Sequence, residues 1–246
     1  MKNYRLKIQY DGTRYRGWQR QKGGTDTIQG RIENVLGRLL GESVEICGAG
    51  RTDAGVHARC QVANVRLKTE WEPLELKRQM NEYLPEDIQI LDIAEAGERF
   101  HSRLNVVGKV YEYHLIRFGE CDVFARKYSW QMERELDVGR MREGAVLLTG
   151  QHDFRGFCTR PSAKKSTVRR IDSICIREEG PGLYLCFAGN GFLYHMVRIL
   201  TGTLVEVGAG IRPLEDIQKA LETGERSFAG ALAPAKGLTL IEVTYD

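Results

Sequence analysis

Lys109-Val-Tyr-Glu-Tyr-His114 opens a strand, Val110 to Ile116, whose alternation puts Lys109, Tyr111 and Tyr113 on one face and Val110 and Glu112 on the other. The periodicity downstream predicts a helix from Asp137 to Leu148, strands from Val168 to Ile176 and Leu183 to Ala188, a helix from Phe192 to Val207 and a strand from Leu238 to Tyr245. The same order stands upstream. There the pattern gives a strand from Tyr4 to Tyr10, a helix from about Thr27 to Leu40 and strands from Val44 to Cys47 and Gln61 to Leu67. A helix from Pro73 to Leu84 and a strand from Ile88 to Ala94 complete that copy. A β-α-β-β-α-β order met twice reads as an α+β fold of two tandem ferredoxin-like halves, residues 1–100 and 101–246, with a cleft between them. The join falls near Gly97 to Gly108, where alternation lapses, and Gly150 to Pro161 and a short helix, Glu215 to Leu221, decorate the second copy.

The 246 residues are 42% hydrophobic and 28% charged, the make-up of an ordinary globular chain, which sets aside disorder and fibrous architecture. No apolar run approaches the roughly 20 residues of a membrane helix, and Met1-Lys-Asn-Tyr-Arg-Leu6 begins a strand rather than a signal sequence, so a cytoplasmic location is expected. Cys47, Cys60, Cys121, Cys158, Cys175 and Cys186 occur singly and read as buried, reduced thiols. The five histidines make no ligand array, no dinucleotide fingerprint follows a strand, and no Walker loop is present. No metal and no nucleotide cofactor is expected.

The net charge of +3 hides two one-sided segments. Arg14, Arg16, Arg20 and Lys22 lie between Asp11 and Asp26 with no acid, interleaved with Tyr15 and Trp18, and Arg155, Arg160, Lys164, Lys165, Arg169 and Arg170 lie between Asp153 and Asp172. Phosphates would find such segments useful and unpaired bases could stack on the aromatics; solvated basic loops are the plainer reading. Acids such as Glu70, Glu72, Glu82, Glu86 and Asp87 lie elsewhere.

One carboxylate stands out. In Gly48-Ala-Gly-Arg-Thr-Asp-Ala-Gly-Val-His-Ala58, Asp53 sits among small residues that cannot cover it, flanked by Arg51 and His57, where glycines let the chain leave a strand sharply. A local Asx-turn would use the same residues. In Ala188-Gly-Asn-Gly-Phe-Leu-Tyr-His-Met-Val-Arg-Ile-Leu200, Arg198 stands next to an apolar helix stripe and calls for a carboxylate partner. Asp53 is the natural candidate, and the pairing would keep it ionised at neutral pH; a structural ion pair would look the same in sequence. Tyr111 could stack on an extruded base or pack a cross-strand neighbour. Ala233-Pro-Ala-Lys-Gly-Leu-Thr-Leu240 could bring Gly237 and Leu238 close to a ligand, or merely turn.

Taken together these segments resemble the TruA family of tRNA pseudouridine synthases, nearly end to end. Tyr10-Asp-Gly-Thr13, Gly17-Trp-Gln-Arg-Gln21, Thr27-Ile-Gln-Gly30, Gly50-Arg-Thr-Asp-Ala-Gly-Val-His57, Phe100-His-Ser-Arg103, Lys109-Val-Tyr-Glu-Tyr113, Gly150-Gln-His-Asp-Phe154, Gly189-Asn-Gly-Phe-Leu-Tyr-His-Met-Val-Arg198 and Ala233-Pro-Ala-Lys-Gly-Leu238 occur in the family's order. The resemblance implies the pseudouridine synthase fold and an isomerase that detaches uracil from its ribose, rotates it and reattaches it through C5 without cofactor or metal. It implies Asp53 as nucleophile, Arg198 as the residue holding it ionised, and Tyr111 stacked beneath the flipped uracil. Arg51 would fill the space the base leaves or steady the backbone, and Leu238 would close the apolar side. It also implies a homodimer in which one tRNA touches both subunits, with anticodon stem-loop uridines as targets. Another tRNA site, ribosomal RNA, and a non-catalytic RNA-binding module remain the alternatives, with a small-molecule enzyme using Asp53 as acid or base further off.

Overall fold

The computed structural model describes residues 1–21, 26–68, 71–161 and 165–246; Lys22, Glu70 and Lys164 lie outside the described residues. In chain order the elements are β1 (Lys2–Tyr10), α1 (Ile28–Leu40), β2 (Cys47–Gly48), β3 (His57–Leu67), α2 (Pro73–Tyr83) and β4 (Ile88–Ala96). There follow β5 (Val106–Ile116), β6 (Trp130–Gln131), α3 (Val138–Leu148), β7 (Gly150–Asp153), β8 (Val168–Glu179) and β9 (Gly182–Gly189). Then α4 (Met196–Gly208), α5 (Glu215–Thr223) and β10 (Leu238–Tyr245) close the chain. Two compact units result: Met1–Val107 with Thr239–Asp246, and Gly108–Leu238.

In the first unit β1 lies antiparallel between β4 and β3, and β2 pairs β3 on its far side, the strand order 4-1-3-2 that a β-α-β-β-α-β chain adopts. Leu6, Ile8, Ile28, Ile32, Leu36, Leu76, Met80 and Ile90 are all buried, joining one face of the sheet to the apolar stripes of α1 and α2. Thr27 starts α1 because its extended backbone leaves Oγ1 free to accept from the Gly30 N–H at 3.2 Å, and Gly41 ends it at φ 69. The last strand differs from its expected place in the second half: Thr239 and Leu240 pair in parallel with His57 and Ala58 of β3, which groups the C-terminal residues with the first unit.

In the second unit the strands β5-β9-β8-β7 pair antiparallel in that order, and β6 is added in parallel along β5. Asp137 caps α3 by accepting from Arg140 N at 3.0 Å, and α4 is buried almost all round, as an apolar helix beneath a sheet should be. Two expectations need correction. Helix α4 begins at Met196 rather than Phe192, because His195 takes a left-handed conformation, φ 64, that breaks the helical run before it. Of the six cysteines, all free, only Cys158 is buried; Cys121 and Cys175 are exposed, since a strand alternates its faces and a loop thiol gains no cover.

His114 on β5 stacks on Tyr184 at 4.3 Å, and its buried Nε2 has no hydrogen-bond partner among the described residues. Burial lowers its pKa from the ordinary value, with Glu112 and Asp122 acting weakly the other way. A histidine with a depressed folded pKa contributes its full stability above the unfolded pKa, about 6.5, and loses it as pH falls through that value toward the folded one, because the unfolded chain takes the proton first. Melting temperature should therefore drop more from about pH 7.5 to 5.5 in the parent than in His114→Phe; equal slopes would clear His114 as the cause.

Candidate active site

Asp53 lies in the connection between β2 and β3 and is half-buried, while Thr52 before it and Val56 after it are buried. This connection is bonded to the β1–α1 segment through its backbone. Trp18 N donates to Thr52 O at 3.1 Å, Gly55 N donates to Tyr15 O at 3.3 Å, and Val56 N closes the turn onto Asp53 O at 3.2 Å. The Tyr10 hydroxyl and Thr52 Oγ1 share a buried hydrogen bond of 2.8 Å, and burial pushes the Tyr10 phenol up to about 12. Gly17 shows how close the two segments run: at φ +88, a Cβ there would sit 2.6 Å from Thr52 O. A carboxylate on such a turn is presented by fixed backbone rather than by a mobile loop, which is what pre-organised chemistry requires.

Tyr15 and Trp18 correct an expectation. Both are core residues, 7% and 2% exposed, so neither offers a face to an unpaired base. The Tyr15 hydroxyl donates to Asp87 at 2.5 Å, and the Trp18 indole packs so tightly on Gly48 that a Cβ there would lie 2.6 Å from the ring. Several of the basic side chains are also locally engaged: Arg14 with Asp87 at 2.6 Å, Arg20 with Glu33 at 2.9 Å and Arg170 with Asp172 at 2.7 Å. Arg16, Lys165 and Arg160 remain exposed, the last lying 5.9 Å from the centroid of the Tyr194 ring.

Arg51 is exposed, and its Nε donates to Gln19 Oε1 at 3.0 Å. Gln19 Nε2 donates to Gln29 Oε1 at 2.8 Å, and Gln29 Nε2 donates to the buried Glu33 carboxylate at 2.8 Å. The arginine beside Asp53 is thus tied through two carboxamides to a carboxylate inside the first unit, a chain that no single-residue reading of the sequence revealed. Its signal was the glutamine-rich pair of motifs, Gly17-Trp-Gln-Arg-Gln21 and Thr27-Ile-Gln-Gly30.

In the second unit Tyr111 is buried on β5, its ring meeting the edge of Phe192 at 5.3 Å and 89°. Phe192 is placed by the end of β9: Asn190 N and Oδ1 both bond the Arg170 backbone at 3.0 Å, and a Cβ at Gly189 would lie 2.5 Å from Arg170 O. Arg198 sits in the first turn of α4. Its Nε donates to Ala233 O at 2.8 Å, and Ala233 N returns a bond to Arg198 O at 3.2 Å. Tyr113 grips the same loop, its hydroxyl donating to Pro234 O at 2.6 Å while its ring lies under Gly237. Burial raises the Tyr113 phenol far above its ordinary value, against the opposing pull of the Arg198 charge. Leu238, 5% exposed, follows directly. The second unit therefore gathers Arg198, Tyr113 and the Ala233–Leu238 loop, and Phe192 is the Tyr111 neighbour the sequence did not single out.

Comparison with known proteins gives a consistent result. The family model described as tRNA pseudouridine synthase matches residues 7–105 and 145–246. A protein of Bacillus sp. (strain KSM-64) named tRNA pseudouridine synthase A is 44% identical over 245 residues, covering 100% of both chains. Proteins of Bacillus anthracis, named tRNA pseudouridine synthase A 2, and Clostridium tetani (strain Massachusetts / E88), named tRNA pseudouridine synthase A 1, are 43% and 42% identical, each over 100% of both chains.

Proposed function

This chain belongs to the tRNA pseudouridine synthase family and is an isomerase that forms pseudouridine in tRNA; from that premise we propose that Asp53 is its nucleophile and that its targets are uridines of the anticodon stem-loop. The reaction is balanced within the substrate. The N1–C1′ bond breaks, uracil turns, a C5–C1′ bond forms, C5 gives up a proton and N1 takes one, with no change of oxidation state. Whether the carboxylate attacks C1′, attacks the base, or assists a glycal route, each path needs an oxyanion held at a fixed place beside an extruded nucleotide.

The observation that carries the assignment of Asp53 is the backbone bonding of its turn to residues 15–18, which holds one carboxylate on a rigid mount. Arg198 is assigned as the counter-charge of that carboxylate, Tyr111 as the ring beneath the flipped uracil and a relay for its proton, Leu238 as the apolar wall, and Arg51 as the side chain that fills the base's vacated place or steadies the backbone. A homodimer acting on one tRNA, working in the cytoplasm, completes the proposal. Among the described residues no helix is long and apolar enough to cross a membrane.

The test is incubation of the purified protein with unmodified tRNA transcripts, followed by mapping of pseudouridine through chemical derivatisation and primer extension. Modification confined to the anticodon stem-loop is expected. Modification at another tRNA position, or in ribosomal RNA alone, would overturn the target assignment, and tight binding without modification would point to a silent RNA-binding module.

A further inference from the structure

A cavity of about 260 Å³ opens in the first unit beside the Asp53 turn, lined among others by Trp18, Gln19, Glu45, Gly48, Arg51 and Arg103. It is smaller than the roughly 300 Å³ at which pockets for larger organic ligands begin, a size for one nucleotide unit rather than an extended cofactor. Its carboxamides are already engaged. Gln19 accepts from Arg51 and donates to Gln29, whose oxygen also takes the Arg20 N–H at 3.0 Å. They build the wall and hold Arg51 in place: Gln29 has both N–H groups and both lone pairs engaged, and Gln19 keeps one N–H and one lone pair beyond those two bonds.

What the cavity offers is charge. Arg51 presents the rest of its guanidinium after its Nε is tied down, and Arg103 brings a second guanidinium that makes no hydrogen bond or ion pair among the described residues. Glu45 is the one carboxylate on the lining, exposed, so two positive groups face one negative. Arg103 is set at this wall by its own segment: Ser102 N donates to Asn64 Oδ1 at 2.9 Å, and Arg103 N donates to His101 Nδ1 at 3.1 Å. Planar guanidinium forks match phosphate oxygens, and Arg51, held by Gln19 before binding, loses less entropy when it engages one.

We propose that Arg51 and Arg103 form a phosphate clamp in this cavity, which takes a phosphodiester of the RNA strand outside the target uridine and so makes Arg103 a binding residue. The inference rests on the reading of the chain as an RNA-modifying enzyme. It assigns Glu45 an opposing role, tempering the clamp.

The experiment measures the affinity of the full-length protein for an unmodified tRNA transcript across a salt series, for the parent, Arg103→Ala, Arg103→Lys and Glu45→Gln. Each phosphate contact contributes about 0.7–0.9 to the slope of log affinity against log salt, so Arg103→Ala should lower that slope by about that amount and weaken binding severalfold at low salt. Arg103→Lys should recover the slope, since the charge remains, and Glu45→Gln should tighten binding. An unchanged slope in Arg103→Ala, with its melting temperature like the parent's, would overturn the clamp, as would loss of the slope in Arg103→Lys. Inorganic phosphate added to the parent separates sources: at millimolar concentration, weakening of RNA binding beyond that given by chloride of equal ionic strength would mean a site for free phosphate, whereas a phosphodiester site loses no more in phosphate than in chloride. Pseudouridine formation by the parent is scored separately. A parent that is inactive while Arg103→Ala still changes the slope would sink the enzymatic reading and leave the clamp standing; an active parent with an unmoved slope does the reverse.

Discussion

Asp53→Asn is expected to lower pseudouridine formation by more than about 10³-fold in single turnover while leaving the fold intact. The substitution keeps size and shape and exchanges a charged oxygen for a neutral amide. The turn that presents the residue is closed by main-chain bonds, Val56 N to Asp53 O and Gly55 N to Tyr15 O, neither of which uses the carboxylate. Asparagine also favours the same turn conformations, so the backbone has no reason to move. The melting temperature should stay within about 2 °C of the parent's and tRNA affinity within a few-fold. Activity within tenfold of the parent would remove Asp53 as nucleophile. Loss of folding would instead make its carboxylate a structural group, and the assay for that is the same thermal melt.

Much of this turn could be read from sequence because its devices are local. Gly55, at φ 78, and the capping Thr27 each act within a few residues, and β1, α1, α2 and β4 end within two residues of their expected bounds. Val44 to Cys47 shows where local reading fails. Its apolar alternation is real, with Val44 and Ile46 buried, yet only Cys47–Gly48 is a strand. Ile46 N donates to the Glu33 carboxylate at 3.0 Å and Ile46 O accepts from Gln29 Nε2 at 3.1 Å, so side chains of α1 take the bonds that a neighbouring strand would otherwise supply. The Arg51–Gln19–Gln29–Glu33 chain escaped for the same reason. Gln29 and Glu33 stand at i and i+4 on α1, but the links from Arg51 to Gln19 and from Gln19 to Gln29 join separate segments through polar side chains whose pairing has no period. His195 is a third case, since its apolar neighbours fit a helix that its own left-handed backbone refuses.

Arg198 carries the second large effect, and its two bonds to Ala233 separate two roles. Its Nε holds the Ala233–Leu238 loop through a buried carbonyl, Ala233 being fully covered. In the proposed chemistry the same guanidinium is the counter-charge of the Asp53 carboxylate. Arg198→Lys keeps a cation and loses the Nε donor, leaving the Ala233 oxygen short of a partner at a cost of about 1–3 kcal/mol, so amide exchange along the loop should quicken and activity fall about 10- to 100-fold. Arg198→Met loses the donor to the same degree and removes the charge as well. If the charge matters to the reaction, Met should fall at least a further tenfold below Lys in single turnover while the two variants show equal loop exchange, because exchange reports the latch and turnover reports both roles. Equal activity in the two would mean that Arg198 serves the loop alone, and the counter-charge would have to be sought in another residue.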